Sequence, residues 1–298
     1  MENNVSVPKV SVVMSTYNRQ ELLNKCLEHI HKQTFKDWSL LVINDCSSDD
    51  TSNILDWWSR EDARIGILTN KENIGPICKS HYLLEANTKY VAMVDDDDFW
   101  EPTYLEEQVK GLEKNSSKIM GLTDCWYLKN NRKKYGNSGR ERPYLQLAPS
   151  CAVFLTKAYQ QAGGFDPLLK EYHAELDLYL RLGGLKNFVY IKKPLVTINR
   201  GKETMSSNKK ISAENLLLVI HKNWSIFGKN KSLLSGYYKI VGLNYIEAHC
   251  LFLGKLYLQK SLKVKVNIEA LGALVLTSIS RKLFLIMYNL YRRLLGYV

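Results

Sequence analysis

No stretch of the 298 residues approaches the roughly 20 consecutive apolar residues that cross a bilayer as a helix. The longest uncharged stretch near the C-terminus, 270–280, is too short to span. The opening MENNVSVPKV has no basic segment followed by an apolar run, so no secretory signal is expected. The cysteines at 26, 46, 78, 125, 151 and 250 are scattered without a C-x-x-C pair. That argues against a zinc site or a thioredoxin-like motif and fits a reducing, cytoplasmic compartment. STYNRQE, after the first strand-like run, contains no glycine, which disfavours the phosphate-cradling loop of a nucleotidyltransferase. No zinc-finger spacing or aromatic-laced basic surface points to nucleic acid, and none is expected as a partner.

Acid is scarce in one region only. Residues 199–298 hold 16 Lys and Arg against 4 Asp and Glu, whereas residues 1–198 hold 25 against 26, so the net charge of +11 belongs to the C-terminal third. Such asymmetry implies regions with different partners; a basic patch suits nucleic acid, anionic lipid or an anionic substrate, or is simply a soluble basic tail. With 45% hydrophobic and 24% charged residues the chain is an ordinary globular one.

The first hundred residues alternate between two periods. Short β-branched or apolar runs at 10–15, 39–44, 64–69 and 90–94 read as strands, and segments 21–32, 49–58 and 75–85 as helices. Alternation of this kind predicts an α/β, mostly parallel sheet flanked by helices. In such sheets ligands bind at the carboxyl ends of the strands, where polar clusters follow all four runs: Thr16-Tyr17-Asn18-Arg19, Asp45-Cys46-Ser47-Ser48-Asp49, Asn70-Lys71-Glu72-Asn73 and Asp95-Asp96-Asp97-Asp98. Further on, 119–127, 150–154, 188–191 and 195–199 read as strands, 175–182 as a helix, and 129–142 as a polar basic loop. From about 212 the pattern is helical. Two regions are expected, 1–207 and a helical basic extension at 208–298.

The four aspartates are the strongest chemical feature. Adjacent carboxylates repel one another unless a cation neutralises them, and their oxygens suit Mg²⁺ or Mn²⁺. An extended backbone would send Asp95 and Asp97 to one side and Asp96 and Asp98 to the other, so that one spaced pair shares a metal. The bland alternative is a solvated acidic turn before the next helix.

VSVVMSTYNR, LLVINDCSSDDT, NKENIGP and YVAMVDDDDFWEP, in that order and spacing, resemble the family 2 glycosyltransferases of GT-A fold; GGFDP (163–167) and ELDLYLRL (175–182) extend the resemblance to about residues 8–207. It implies transfer of a sugar from a nucleotide-sugar donor, UDP- or dTDP-type, to a glycan or lipid-linked acceptor in surface polysaccharide synthesis, with Mn²⁺ or Mg²⁺ as cofactor. It places Thr16, Tyr17 and Arg19 at the nucleotide and Asp45 on the base; the alternative for Asp45 is a turn cap with Ser47. Asp95 and Asp96 fall at the nucleotide, Asp97 with Asp95 at the metal, and Asp98 at the acceptor or a metal-bound water. Ser80 and His81 replace the family's usual Arg and Asn, leaving Lys79 as the phosphate-facing charge. Glu175 falls at the general base with Asp177 as its substitute, Ala174 standing where the family has a first acid. His173 is read as a loop residue before a metal or phosphate contact. Arg200, Met205 and Ser206 match a loop closing over the donor. Phe99 and Trp100 either stack on the acceptor or pack beneath the acidic loop. The missing acid at 174 also allows an inactive donor-binding assembly protein, and the tail a nucleic-acid binder.

On a helical wheel of 281–295, Arg281, Lys282, Asn289, Arg292 and Arg293 share one arc, while Leu283, Phe284, Met287, Leu290, Tyr291 and Leu294 take the other. That pattern, with Lys255, Lys260, Lys263 and Lys265 nearby, fits an interfacial helix on anionic lipid. Peripheral placement on the inner face of the plasma membrane is therefore expected, against the alternative of a helix packed on its own domain with its basic face in water.

Overall fold

The computed structural model describes residues 7–75, 78–136, 148–169, 173–200 and 208–294. The chain divides into two compact units, residues 1–170 with 174–203 and residues 171–173 with 204–298.

The first unit is built on one sheet. Strands β1 (Val10–Thr16), β2 (Trp38–Asn44), β3 (Ile65–Thr69) and β4 (Tyr90–Asp95) lie parallel in the order β3-β2-β1-β4, linked by helices α1 (Gln20–His31), α2 (Thr51–Glu61) and α3 (Cys78–Leu84). Helix α1 lays Leu23, Cys26, Leu27 and Ile30, spaced i, i+3, i+4, i+7, into the core. Tyr90 to Val94 of β4 are all buried, as expected of a strand inside a parallel sheet. Each large side chain so buried contributes about 1.5–3 kcal/mol.

Beyond β4 the sheet turns mixed, continuing β8-β6-β9-β5, with β7 paired to β6. These strands are β5 (Phe99–Trp100), β6 (Met120–Lys129), β7 (Arg132–Gly136), β8 (Ala152–Leu155) and β9 (Phe188–Asn199). Among the described residues four strand pairings are parallel and four antiparallel. The expectation of parallel strands holds among β1, β2, β3 and β4. Two local expectations fail. The segment read as a loop from 129 instead forms the β6–β7 hairpin, turned by Asn130 and Asn131, both with positive φ. The two strands read at 188–191 and 195–199 are one strand, whose register against β6 shifts where Pro194 sits opposite Asp124; a proline cannot donate to the ladder and is accommodated at such an irregularity. Helices α4 (Tyr104–Lys114), α5 (Thr156–Ala162) and α6 (Ala174–Arg181) complete this unit.

The second unit is helical: α7 (Lys209–Lys222), α8 (Trp224–Phe227), α9 (Lys231–Glu247), α10 (Leu251–Val264), α11 (Ile268–Ile279) and α12 (Arg281–Leu294). Asn208, Asn230 and Asn267 cap α7, α9 and α11, each side chain accepting a backbone N–H three residues on at 3.0–3.2 Å. Gly242 lets α9 and α10 approach closely, since a Cβ there would lie 2.9 Å from the Gly254 carbonyl oxygen. A small core gathers Ile246, Leu258, Ala270, Ala273 and Phe284. Among the described residues no helix is long and apolar enough to cross a membrane. None of the six cysteines is in a disulfide.

Candidate active site

The loops after β1 and β2 are laced together at the carboxyl edge of the sheet. Asn18, at φ 51°, accepts the Ser48 N–H on its side chain at 2.8 Å and donates its own N–H to Ser47 Oγ at 3.1 Å. Thr16 is buried beneath them, while Tyr17 and Arg19 are exposed. Asp45 is buried and braces the third loop: Asn70 Nδ2 donates to it at 2.7 Å, Ile74 N at 3.0 Å and Gly75 N at 2.7 Å. An ionised carboxylate accepts about four hydrogen bonds, so capacity for one more donor remains. The turn-capping role considered for Asp45 belongs to its neighbour: Ser47 N donates to Asn44 Oδ1 at 3.0 Å.

Asp95 ends β4, and the three aspartates after it leave the strand. They form a turn closed by the Asp98 N–H on the Asp95 carbonyl at 3.1 Å. Burial still alternates, with Asp95 and Asp97 half-buried and Asp96 and Asp98 buried. Asp98 anchors the turn: Ser150 Oγ donates to its carboxylate at 2.6 Å, and Asn199 N at 3.2 Å. Ser150 Oγ also accepts the Asp95 N–H at 3.1 Å, and Cys26 Sγ donates to the Asp98 carbonyl at 3.0 Å. Asp98 thus ties the turn to Ser150 and to the end of β9. Trp100 lies beneath the turn, fully buried, donating its indole N–H to the Ser150 carbonyl at 2.8 Å and stacking on Tyr104. Of the two roles held open for it, packing is the one observed. Phe99 packs near His29, ring centroids 5.3 Å apart.

Burial and crowding load the turn with electrostatic strain. Burial and mutual repulsion push the Asp97 carboxyl up against the pull of Arg19, whose Nη1 lies 3.9 Å from Asp97 Oδ2. Burial likewise pushes Asp96 up to about 6, with the Thr16 hydroxyl opposing and Asp97 adding. Asp95 is engaged by Lys79, which is only 4% exposed. Burial works against the Lys79 charge, but Asp95 more than offsets it and its pKa is raised.

Ser80 and His81, which occupy the family's Arg and Asn positions, part company. Ser80 is buried, 2.8 Å from Tyr159 Oη, and accepts the Phe165 N–H at 2.8 Å. Gly164 (φ 65°) lies so close that a Cβ would stand 2.5 Å from Ser80 Oγ, which accounts for the second glycine of GGFDP. His81 faces solvent beside Glu85.

At the start of α6 the two candidate bases separate. Glu175 is half-buried, and the water it has lost pushes its carboxyl up to about 7, with Asp95 adding and Lys79 opposing. It thus stands in the same electrostatic environment as the acidic turn. Asp177 is fully buried and bound by Arg181 Nε at 2.7 Å; the same guanidinium donates to the carbonyls of Ala162 and Gly164. Asp177 is thereby committed to joining α6 to the GGFDP loop. His173 belongs to the second unit, where its Nε2 lies 3.0 Å from Ser212 Oγ and burial pushes its pKa down to about 4. The Arg200 guanidinium lies 4.0 Å from the Tyr127 ring centre, whereas Met205 and Ser206 fall outside the described residues. Ser150 and Asn199 hold the site together without any motif to announce them, whereas Asn70 opens NKENIGP.

A family model, Glycosyl transferase family 2, matches residues 11–159, half of the chain. The chain is 28% identical over 306 aligned positions to the GalNAc(5)-diNAcBac-PP-undecaprenol beta-1,3-glucosyltransferase of Campylobacter jejuni, covering 92% of this chain and 94% of that one. It is 31% identical over 110 residues to a Bacillus subtilis glycosyltransferase named for teichuronic acid biosynthesis, covering 37% of this chain and 44% of the relative, so this chain spans less than half the length of that protein. Among solved structures it resembles Staphylococcus aureus TarS 1–349 in complex with UDP-GlcNAc (TM-score 0.65, 17% identity, 93% of this chain and 86% of that one). It also resembles the Pyrobaculum calidifontis mannosyltransferase in complex with GDP-Man and Mn²⁺ (TM-score 0.58, 17% identity, 92% and 81%). At these identities the two structures speak to the fold, which is GT-A.

Proposed function

The chain belongs to glycosyl transferase family 2, and on that premise we propose that it transfers a sugar, with inversion, from a UDP- or dTDP-type nucleotide sugar to a hydroxyl of a lipid-linked glycan. The observation that supports this reading is the gathering of Asp45, Lys79 and the acidic turn at the carboxyl edge of the sheet, with the Glu175 carboxyl pushed up by burial and by Asp95. The Campylobacter relative is named for an undecaprenol-linked substrate, which supports a lipid-linked acceptor and a peripheral place on the inner face of the plasma membrane.

In this mechanism the remaining acceptor capacity of Asp45 receives the N3–H of the base, and Thr16, Tyr17 and Arg19 surround the nucleotide. Asp95 and Asp96 line the nucleotide's diphosphate end, with Lys79 and Arg19 providing positive charge. Asp97, with Asp95, would hold Mg²⁺ or Mn²⁺; the carboxylate oxygens are the right donors, and such ions commonly bind through one or two carboxylates plus substrate phosphates. A bound divalent ion would neutralise charge on the departing diphosphate. Glu175 removes the acceptor hydroxyl proton as the oxygen attacks the anomeric carbon from the face opposite the leaving group. Asp177 acts only as a positioning residue, orienting α6 through Arg181.

The test is transfer from radiolabelled nucleotide sugars to a lipid-linked acceptor, with and without EDTA. Glu175→Gln should lower kcat by about 10²–10⁴-fold while retaining donor binding. The parent's rate should rise with pH through about 7 as Glu175 loses its proton. Full activity in Glu175→Gln would overturn the assignment of the base. Donor binding without turnover by the parent would favour an assembly role.

A further inference from the structure

Helices α11 and α12 pack inside out. Helix α11 turns Ala270, Ala273 and Thr277 inward and leaves a stripe of larger residues, Ile268, Leu271, Val275 and Ile279, facing solvent; Ile268 is 84% exposed and Ile279 71%. Helix α12 buries Phe284 yet exposes Leu283, Ile286, Met287, Leu290 and Tyr291, spaced i, i+3, i+4, i+7, i+8. A helix on a globular surface ordinarily does the reverse. The expected wheel of α12 is therefore present, but most of its apolar arc does not serve packing: Phe284 enters the core with Leu285 and Tyr288 packed beside it, while Leu283, Met287, Leu290 and Tyr291 stay outside. The side chains of Arg292, Arg293 and Leu294 lie outside the described residues. Tyr291 Oη donates to Glu269 Oε1 at 3.0 Å, so the two helices run back along one another and carry their exposed stripes on one hairpin. Nine large apolar side chains on one hairpin exceed what a monomer scatters over its surface.

Charge and length select the occupant. Residues 251–298 contain eight Lys and Arg and one acid, Glu269, which is paired with Lys239. A second copy would bring the same positive charge, whereas an anionic surface complements it. Helices of 12 and 14 residues reach about 18 and 21 Å, short of the ~30 Å hydrocarbon core. We propose that the α11–α12 hairpin lies in the plane of a bilayer of anionic lipid, its apolar stripes seated at the acyl boundary and the neighbouring lysines on the headgroups. This deepens the lipid-linked acceptor reading and gives that chemistry its membrane surface.

The full chain would be sedimented with vesicles of phosphatidylcholine alone and of phosphatidylcholine mixed with phosphatidylglycerol. Binding to the anionic vesicles is expected to weaken with salt. Ile286→Ser with Leu290→Ser should weaken it about a hundredfold, roughly tenfold per side chain, at an unchanged melting temperature. Lys282→Gln should cost about fivefold on anionic vesicles alone. Absence of binding to either vesicle, or a double variant that binds like the parent, would overturn the proposal. So would a dimer in sedimentation velocity that the double variant dissolves, since it would assign the face to a second copy. Vesicle binding needs no donor or acceptor, and nucleotide-sugar hydrolysis needs no vesicle, so failure of either reading leaves the other measurable.

Discussion

The acidic turn after β4 and the α11–α12 hairpin break the usual rule of protein surfaces in opposite directions. The turn draws carboxylates inward, Asp98 completely, and satisfies them with Ser150, Asn199 and neighbouring backbone. The hairpin turns a row of Ile and Leu outward while it packs through Ala270, Ala273, Thr277 and Phe284, with Leu274, Leu276, Leu285 and Tyr288 partly buried against them. Burying a carboxylate costs free energy unless hydrogen bonds offset it, and exposing large apolar residues forgoes burial that would stabilise the fold. The contrast teaches how to sort such departures. Where an ion pair within the chain offsets the cost, as at Asp177 with Arg181, the side chain is already engaged, whereas burial still pushes the Asp98 carboxyl well above its ordinary range against the hydrogen bonds of Ser150 and Asn199. Where it is left standing, as at Glu175 and on the outward stripes, a ligand or surface from outside the chain is the natural recipient.

That sorting has measurable consequences. The largest concerns Asp177, whose pairing with Arg181 is internal: Asp177→Ala should cost about 3 kcal/mol or more in urea unfolding, because it leaves a partly buried guanidinium without its carboxylate. A cost near zero would place Asp177 with the residues awaiting a partner. A smaller effect is expected at Glu175. Its carboxyl holds a proton more tightly in the folded chain, at about 7, than at its ordinary value of 4.5. Ionisation between those values therefore removes stability as pH rises. Glu175→Gln should melt higher than the parent at pH 8, and the difference should vanish at pH 4; a constant difference would refute the strained carboxylate. The smallest effect belongs to the hairpin. Leu290→Ser should change unfolding free energy by no more than about 0.5 kcal/mol in the absence of lipid, as for a surface site. A loss of 2 kcal/mol would mean that the stripe packs within the chain after all.

Much of the fold was readable from local pattern. The first four strands and the helices between them follow from period-2 and period-3.6 spacing, and β4 from an unbroken apolar run. The acidic cluster stood out because four adjacent carboxylates repel one another unless something neutralises them. The β6–β7 hairpin was missed although Asn130-Asn131 is a two-residue turn that tolerates positive φ; the basic residues around it read as loop. Ser150 and Asn199 carry no local signal, because a buried serine or a backbone N–H acquires its role only from the partner that folding brings to it.

Composition and spacing were enough to establish an α/β sheet with polar loops at its carboxyl edge, a balanced first region and a basic helical second one, since these depend on neighbours a few residues apart. Which aspartate faces outward by way of the turn, that Asp177 is tied to Arg181 while Glu175 is left with a raised carboxyl, and that α12 hides Phe284 and shows Leu290 were decided by packing. Desolvation and hydrogen-bond satisfaction act between residues far apart in the chain, and the preference of any one of them is settled only when the others arrive.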